Sequence, residues 1–172
     1  MSEPKFEIRV ETPDDCKKIE NLHALAFGPG RFVRTANRMR EGVPPVGELC
    51  HTGWLEGVLV ASIRLTRVAI GAAEGLLLGP IVVHPDYGNR GIGQEIIRNS
   101  IAEAQRHGFQ WIILVGDAPY YEKVGFQKSP HGKITFPGPV DPDRVMAMEL
   151  KTGSLANVEG LLLASLPEPG DG

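Results

Sequence analysis

Apolar and polar residues alternate over positions 5–10, with Phe6, Ile8 and Val10 facing one way and Lys5, Glu7 and Arg9 the other, which predicts a half-buried strand. Thr12-Pro13-Asp14 then marks a helix start. Thr12 suits the cap, Pro13 the first helical position, and Asp14 and Asp15 the positive end of the helix dipole. Ile19, Leu22, His23, Ala26 and Phe27 give that helix an apolar stripe, and Gly28-Pro29-Gly30 stops it. A second helix is expected over 31–40, with Phe32, Ala36 and Met39 on one face and Arg31, Arg34 and Arg38 on another, followed by a loop over 42–47.

Strands are expected over 48–55 and 58–68, joined in a hairpin at Glu56-Gly57. The next, over 75–83, is almost wholly apolar, the pattern of a strand covered on both faces. It contains Gly79-Pro80, and a proline cannot donate to the ladder, so a bulge or a local loss of pairing is predicted there. Residues 90–107 form the strongest helical pattern, carried by Ile92, Ile96, Ile97, Ser100, Ile101 and Ala104 and ended by Gly108. A short buried strand follows over 111–115, a short helix over 119–124, and a strand from Phe126. A loop rich in proline and glycine spans 130–143 and a last alternating strand 145–150. Leu155, Val158 and Leu161 to Leu163 dock the tail, and residues 167–172 are expected to fray. With no internal repeat or boundary, the order reads as one α/β domain over 1–166, a mixed sheet with helices on its faces.

Composition narrows the function. The 172 residues carry 21 glycines and 14 prolines, spread between periodic segments, which means many tight turns. A net charge of −3 argues against a nucleic-acid partner, whose footprint is basic. No apolar run approaches the ~20 residues that span a bilayer, and the N-terminus lacks the apolar core of a signal peptide, so no membrane association is expected. Cys16 and Cys50 lack metal-ligand spacing and read as reduced, inert thiols of a cytoplasmic protein with no metal.

The chemistry is concentrated between Gly79 and Phe126. A buried strand ends at Val83, His84-Pro85 turns the chain, and a loop with Gly88, Gly91 and Gly93 runs into the strong helix. The first turn of a helix offers unpaired N–H groups at its positive end, and glycines let a phosphate approach them, so this is an anion site suited to a pyrophosphate. Arg90 adds a charged donor. A P-loop would need Lys-Ser/Thr where Gln94 and Glu95 stand, and a dinucleotide fingerprint would need glycine at Ile96 directly after the strand; both fail.

Gly88-Asn89-Arg90-Gly91-Ile92-Gly93 after Val83-His84-Pro85 resembles the acetyl-CoA-binding motif of the GNAT acyltransferases. Tyr121-Glu122-Lys123-Val124-Gly125-Phe126 resembles that family's later Y-x-x-x-G-F signature, about 30 residues on. The wording LLLGPIVVHP and LVGDAPYYEKVGF is similar to a bacterial branch called YhbS-like. The resemblance covers residues 5–150. It implies a mixed, mostly antiparallel twisted sheet of six to seven strands, splayed at a central parallel pair and flanked by about four helices.

It also implies roles. Ile81, Val82 and Val83 pair with the pantetheine arm through their backbones; the amides of Asn89, Arg90, Gly91, Ile92, Gly93 and Gln94 hold the pyrophosphate, next to Gly88. Asp117 stands where many members carry an asparagine that contacts pantetheine, and Tyr120 joins the cofactor-binding set as a packed aromatic. Tyr121 protonates the departing thiolate, for which a phenol of pKa roughly 10 is suited. The reaction implied is direct transfer of an acetyl or short acyl group from acyl-CoA to a primary amine, on a small molecule or a peptide, in a ternary complex. Such transfer needs a base, an acid and an oxyanion donor. Glu74, opening the strand that leads to the thioester, is the candidate base, and His84 reads as a turn histidine. Two alternatives stay open: a non-catalytic acyl-CoA-binding or sensing module, and an acyltransferase whose donor is an acyl-carrier protein meeting Arg31, Arg34 and Arg38. A homodimer is the default assembly.

Overall fold

A computed structural model of the chain describes residues 6–27, 49–88, 90–130 and 133–164. The expected helix with Arg31, Arg34 and Arg38, the loop after it, Asn89 and the fraying tail lie outside these residues.

The strands are β1 (Phe6–Val10), β2 (His51–Leu55), β3 (Val58–Ile70), β4 (Ala73–Val83), β5 (Trp111–Val115), β6 (Gln127–Lys128), β7 (Ile134–Thr135), β8 (Val145–Glu149) and β9 (Gly160–Ala164). The helices are α1 (Cys16–Phe27), α2 (Ile92–Arg106) and the short α3 (Ala118–Glu122). Strand order is β1-β2-β3-β4-β5-β8-β6, antiparallel throughout except where β4 meets β5 in parallel. The sheet therefore has two short strands more than the pattern along the chain suggests. β3 outlasts β2, which pairs only with its first half; β9 takes the same edge farther on, opposite Val68, Ala69 and Ile70, and β7 pairs with β9. Burial explains the docking: Leu155 and Leu162 enter the core while Leu161 and Leu163 stay exposed.

Two apolar cores sandwich the sheet. On one side α2 presses Ile92, Ile96, Ile97 and Ala104 against Ile63, Leu65, Leu76, Leu78, Ile112 and Leu114. On the other, Val68, Leu77, Trp111, Ile113 and Leu162 form the second cluster. The start of α1 departs from the simple cap. Pro13–Asp15 is a 3-10 turn, and the amide and hydroxyl of Thr12 both donate to Asp15 Oδ2, at 2.9 and 3.1 Å. Of the two thiols, Cys50 is buried and donates to the Leu65 carbonyl, its pKa raised to about 11 chiefly by burial; Cys16 is exposed.

The irregularity that positions the site is in β4. Ile63 stands opposite Ile81 and Leu65 opposite Leu78, so Arg64 alone faces the two residues Gly79-Pro80. This is the bulge that the proline predicts. Gly79 has φ 123°, a backbone conformation open to glycine and costly for other residues. β4 pairs with β5 only at Leu76 and Leu77, opposite Ile112 and Ile113. Beyond that point the two parallel strands part, and the sheet opens.

Candidate functional site

The opening between β4 and β5 has a backbone wall. The amide of His84 donates to the Val60 carbonyl at 2.8 Å, which makes 60 and 84 a hydrogen-bonded pair of the antiparallel ladder. Such pairs alternate with non-bonded ones, so Val82, opposite Ser62, turns its backbone groups toward β3, while Ile81 and Val83 turn theirs toward the opening. A chain-like ligand carrying amides can lie along Ile81 and Val83 as an added strand. Val82 is instead a ladder residue, so of the three positions only Ile81 and Val83 offer backbone groups to the cleft.

At the C-terminal end of β4 lies the turn into α2. His84 caps a 3-10 turn, Pro85–Tyr87, and its Nδ1 accepts the Asp86 amide at 3.1 Å; the same ring meets Tyr87 edge-on at 5.3 Å. That fits a turn histidine. Gly91 has φ 77° as the residue before α2, a left-handed conformation that favours glycine. Glu95 N closes the first helical bond onto Gly91 O at 3.0 Å, leaving the amides of Ile92, Gly93 and Gln94 at the open, positive end of α2. Arg90 is exposed, with its guanidinium 5.3 Å from the centre of the Tyr87 ring. Gly88 is exposed too.

The other wall follows β5. Asp117 precedes α3, and its carbonyl accepts the amides of Tyr120 and Tyr121 at 3.1 Å each. Its carboxylate is mostly exposed and accepts from Arg144 Nη2 at 3.2 Å. Tyr121 is half-buried, edge-on to Tyr120 at 5.0 Å and to Phe126 at 6.2 Å. A β-carbon added at Gly116 would run into its ring, and one added at Gly93 would run into the Tyr120 hydroxyl. Burial pushes the Tyr120 phenol above its usual pKa. Gly116, Arg144 and the contact between Gly93 and Tyr120 carry no signal in the sequence, because each joins residues that no periodic pattern links.

Glu74 is not brought to this site. It stands near the β3–β4 turn, opposite Ala69 and five residues before Gly79, roughly 16 Å away along the strand. There it lines a depression of about 420 Å³ with Arg67, His107, Phe109 and Gln110, at the far end of α2. The expectation of a base at Glu74 fails on strand length: position 74 begins β4, and the bulge lies in its middle.

The arrangement can therefore hold an extended chain along β4, an anion at the first turn of α2 and a phenol beside them. Residues 48–128 match the family model of the acetyltransferase (GNAT) domain. The N-acetyltransferase YjhQ of Escherichia coli K12 is 27% identical over 131 residues, covering 74% of this chain and 72% of that protein. Among solved structures, the GNAT family N-acetyltransferase YhbS from Escherichia coli, in complex with CoA, superposes with a TM-score of 0.82 at 18% identity, over 96% of this chain and 92% of that one; the likeness is one of fold. A GNAT family acetyltransferase from Brucella melitensis, in complex with acetyl-CoA, superposes with a TM-score of 0.63 at 26% identity, over 85% and 97%.

Proposed function

Since this chain belongs to the GNAT acetyltransferase family, we propose that it moves an acetyl or short acyl group from CoA to a primary amine by direct attack in a ternary complex. The observation that carries this reading is the parting of β4 from β5 after Leu77 and Ile113, which leaves the edge at Ile81 and Val83 beside the amides that open α2. The residues fit the co-substrate: a strand edge for the two amides of a pantetheine arm, and an amide cradle behind a left-handed glycine for a pyrophosphate. When bound, acetyl-CoA supplies the thioester carbonyl that an amine attacks and the sulfur that leaves.

The chain's own residues do the rest. Ile81 and Val83 orient the arm through backbone hydrogen bonds, and Ile92, Gly93 and Gln94 neutralise the phosphate charge at the helix end, with Arg90 at the rim. Tyr121 Oη holds the proton that the departing sulfur takes up. Its support is the packing that fixes the ring, between Gly116, Tyr120 and Phe126, in the last turn of α3. Glu74 has no part in this proposal. The amine reaches the bulge at Gly79-Pro80, far from that carboxylate, and loses its proton to solvent or to a group other than Glu74.

Titration of the purified protein with acetyl-CoA by calorimetry tests the cofactor reading, with desulfo-CoA and NAD as controls. Saturable binding of acetyl-CoA and desulfo-CoA without response to NAD is expected. Release of free thiol in the presence of small amines and peptides then identifies the acceptor, and an acyl-carrier protein serves as a competing donor. No binding of acetyl-CoA at millimolar concentration overturns the proposal.

A further inference from the structure

We propose that the Tyr120 hydroxyl, reaching across the mouth of the cleft from α3, donates a hydrogen bond to the phosphate end of the CoA co-substrate, and that position 93 is glycine to admit it. This rests on the cofactor reading above and adds a ligand to it.

A β-carbon placed on Gly93 would overlap the Tyr120 hydroxyl, with the phenol Cζ 3.4 Å and the Val83 Cγ2 3.3 Å from the same point. The phenol tip thus fills the place of a side chain in the first turn of α2. Gly93 lies between Ile92 and Gln94, the residues whose amides open that turn. The ring therefore crosses between the two halves of the splayed sheet. Its own helix follows β5, and the residue it touches opens the helix that follows β4. Val83, beneath the same contact, is the strand-edge residue whose backbone faces the opening.

The hydroxyl is also chemically uncommitted. Among the described residues Tyr120 has no hydrogen-bond partner, and the residue is 36% exposed. A phenol at the mouth of the cleft gains a stronger bond from a charged acceptor than from a neutral one, and a phosphate oxygen at the first turn of α2 is such an acceptor. Tyr121 stands edge-on at 5.0 Å on the other side and limits the swing of the ring. The two tyrosines then divide the work along the cleft, Tyr120 at the phosphate end and Tyr121 at the sulfur.

The test uses the full chain and four variants: Tyr120→Phe, Gly93→Ala, Tyr120→Ala, and Gly93→Ala combined with Tyr120→Ala. Calorimetry measures affinity for CoA, and displacement of CoA measures affinity for ADP, which keeps a pyrophosphate and lacks the pantetheine arm; thermal melts confirm that each variant is folded. Tyr120→Phe is expected to weaken both ligands about tenfold. Gly93→Ala is expected to weaken CoA when Tyr120 is present and to change it less than twofold when Tyr120 is alanine. The proposal is overturned if Tyr120→Phe stays within twofold of the parent, if it weakens CoA but not ADP, if ADP fails to displace CoA, or if Gly93→Ala costs the same with and without the tyrosine. A parent protein that binds no CoA at all overturns the cofactor reading itself, and this assignment with it.

Discussion

The ring of Tyr121 rests on Gly116, whose missing β-carbon leaves the space the ring occupies; a methyl there would overlap Cε2 and stand 2.9 Å from Cδ2. Gly116 is buried, and its amide donates to the Arg144 carbonyl at 2.9 Å, so the floor under the ring is fixed backbone. Phe126 and Tyr120 meet the ring edge-on from two other directions. A phenol held in this way keeps its oxygen at one place.

The first prediction follows from that fixation. Tyr121→Phe lowers kcat for thiol release by about 100-fold or more, as expected for loss of a general acid, and leaves CoA affinity within about twofold. Gly116→Ala keeps the phenol but displaces it, so kcat falls while the acid is still present. Kinetics beside calorimetry check both; an undiminished kcat in Tyr121→Phe removes the tyrosine from the proton path.

A second close approach tests the packing rather than the chemistry. A β-carbon on Gly75 would run into the indole of Trp111, which is 1% exposed in the second core. Both residues lie where β4 and β5 still run side by side, just before they part. Gly75→Ala is expected to destabilise the fold by about 1–3 kcal/mol, the usual cost of overpacking. Chemical denaturation followed by tryptophan emission measures it.

How much of this was legible in the chain depends on whether the cause is local. Pro80 inside an apolar run announces the bulge by itself, because a missing N–H has the same effect wherever the strand lies. The glycines before Ile92 announce the open start of α2, and Trp111–Val115 appears at its predicted bounds. β9 is different. Leu161 to Leu163 do not alternate, and what makes them a strand is the length of β3 beyond β2, a property of residues almost a hundred positions earlier. Asp117 and Arg144 pair across 27 residues for the same kind of reason. Glu74 shows the converse. Its place at the start of a strand is local and legible, but the distance from there to the bulge is set by the strand's full extent, which carries it away from the cleft.

The pH dependence of stability has a specific source in His51. It is 4% exposed on β2, and its pKa is lowered, mainly by burial, against weaker opposing effects of Glu103 and a hydrogen bond with the Leu49 backbone. Its Nδ1 has no partner among the described residues. A histidine whose folded pKa lies below its unfolded value of 6.5 stabilises the fold fully above that value, and the stability is lost as pH falls through 6.5 toward the folded pKa. The slope attributable to one such group is at most about 1.4 kcal/mol per pH unit. Urea denaturation between neutral and mildly acidic pH is expected to show stability falling on acidification, and His51→Gln to flatten that fall. An unchanged slope in the variant assigns the effect to other groups.

The ladder alternation in β4 makes the sharpest prediction about the cleft. Val83 stands opposite Ala61 in a non-bonded pair, so its amide does not belong to the pairing with β3, whereas the amide of His84 donates to Val60. Proline is tolerated in strands where no ladder hydrogen bond is lost. Val83→Pro therefore removes an N–H aimed at the opening while sparing the ladder, although it also gives up some packing of a partly buried valine. The expected result is a folded protein with a modestly lower Tm and CoA affinity reduced about tenfold or more. Proline at position 82, where the amide belongs to the ladder, is expected to lose far more stability. If Val83→Pro binds CoA as tightly as the parent, the strand edge is not where the pantetheine arm lies. If it unfolds as readily as the Val82→Pro variant, the alternation argument itself is wrong.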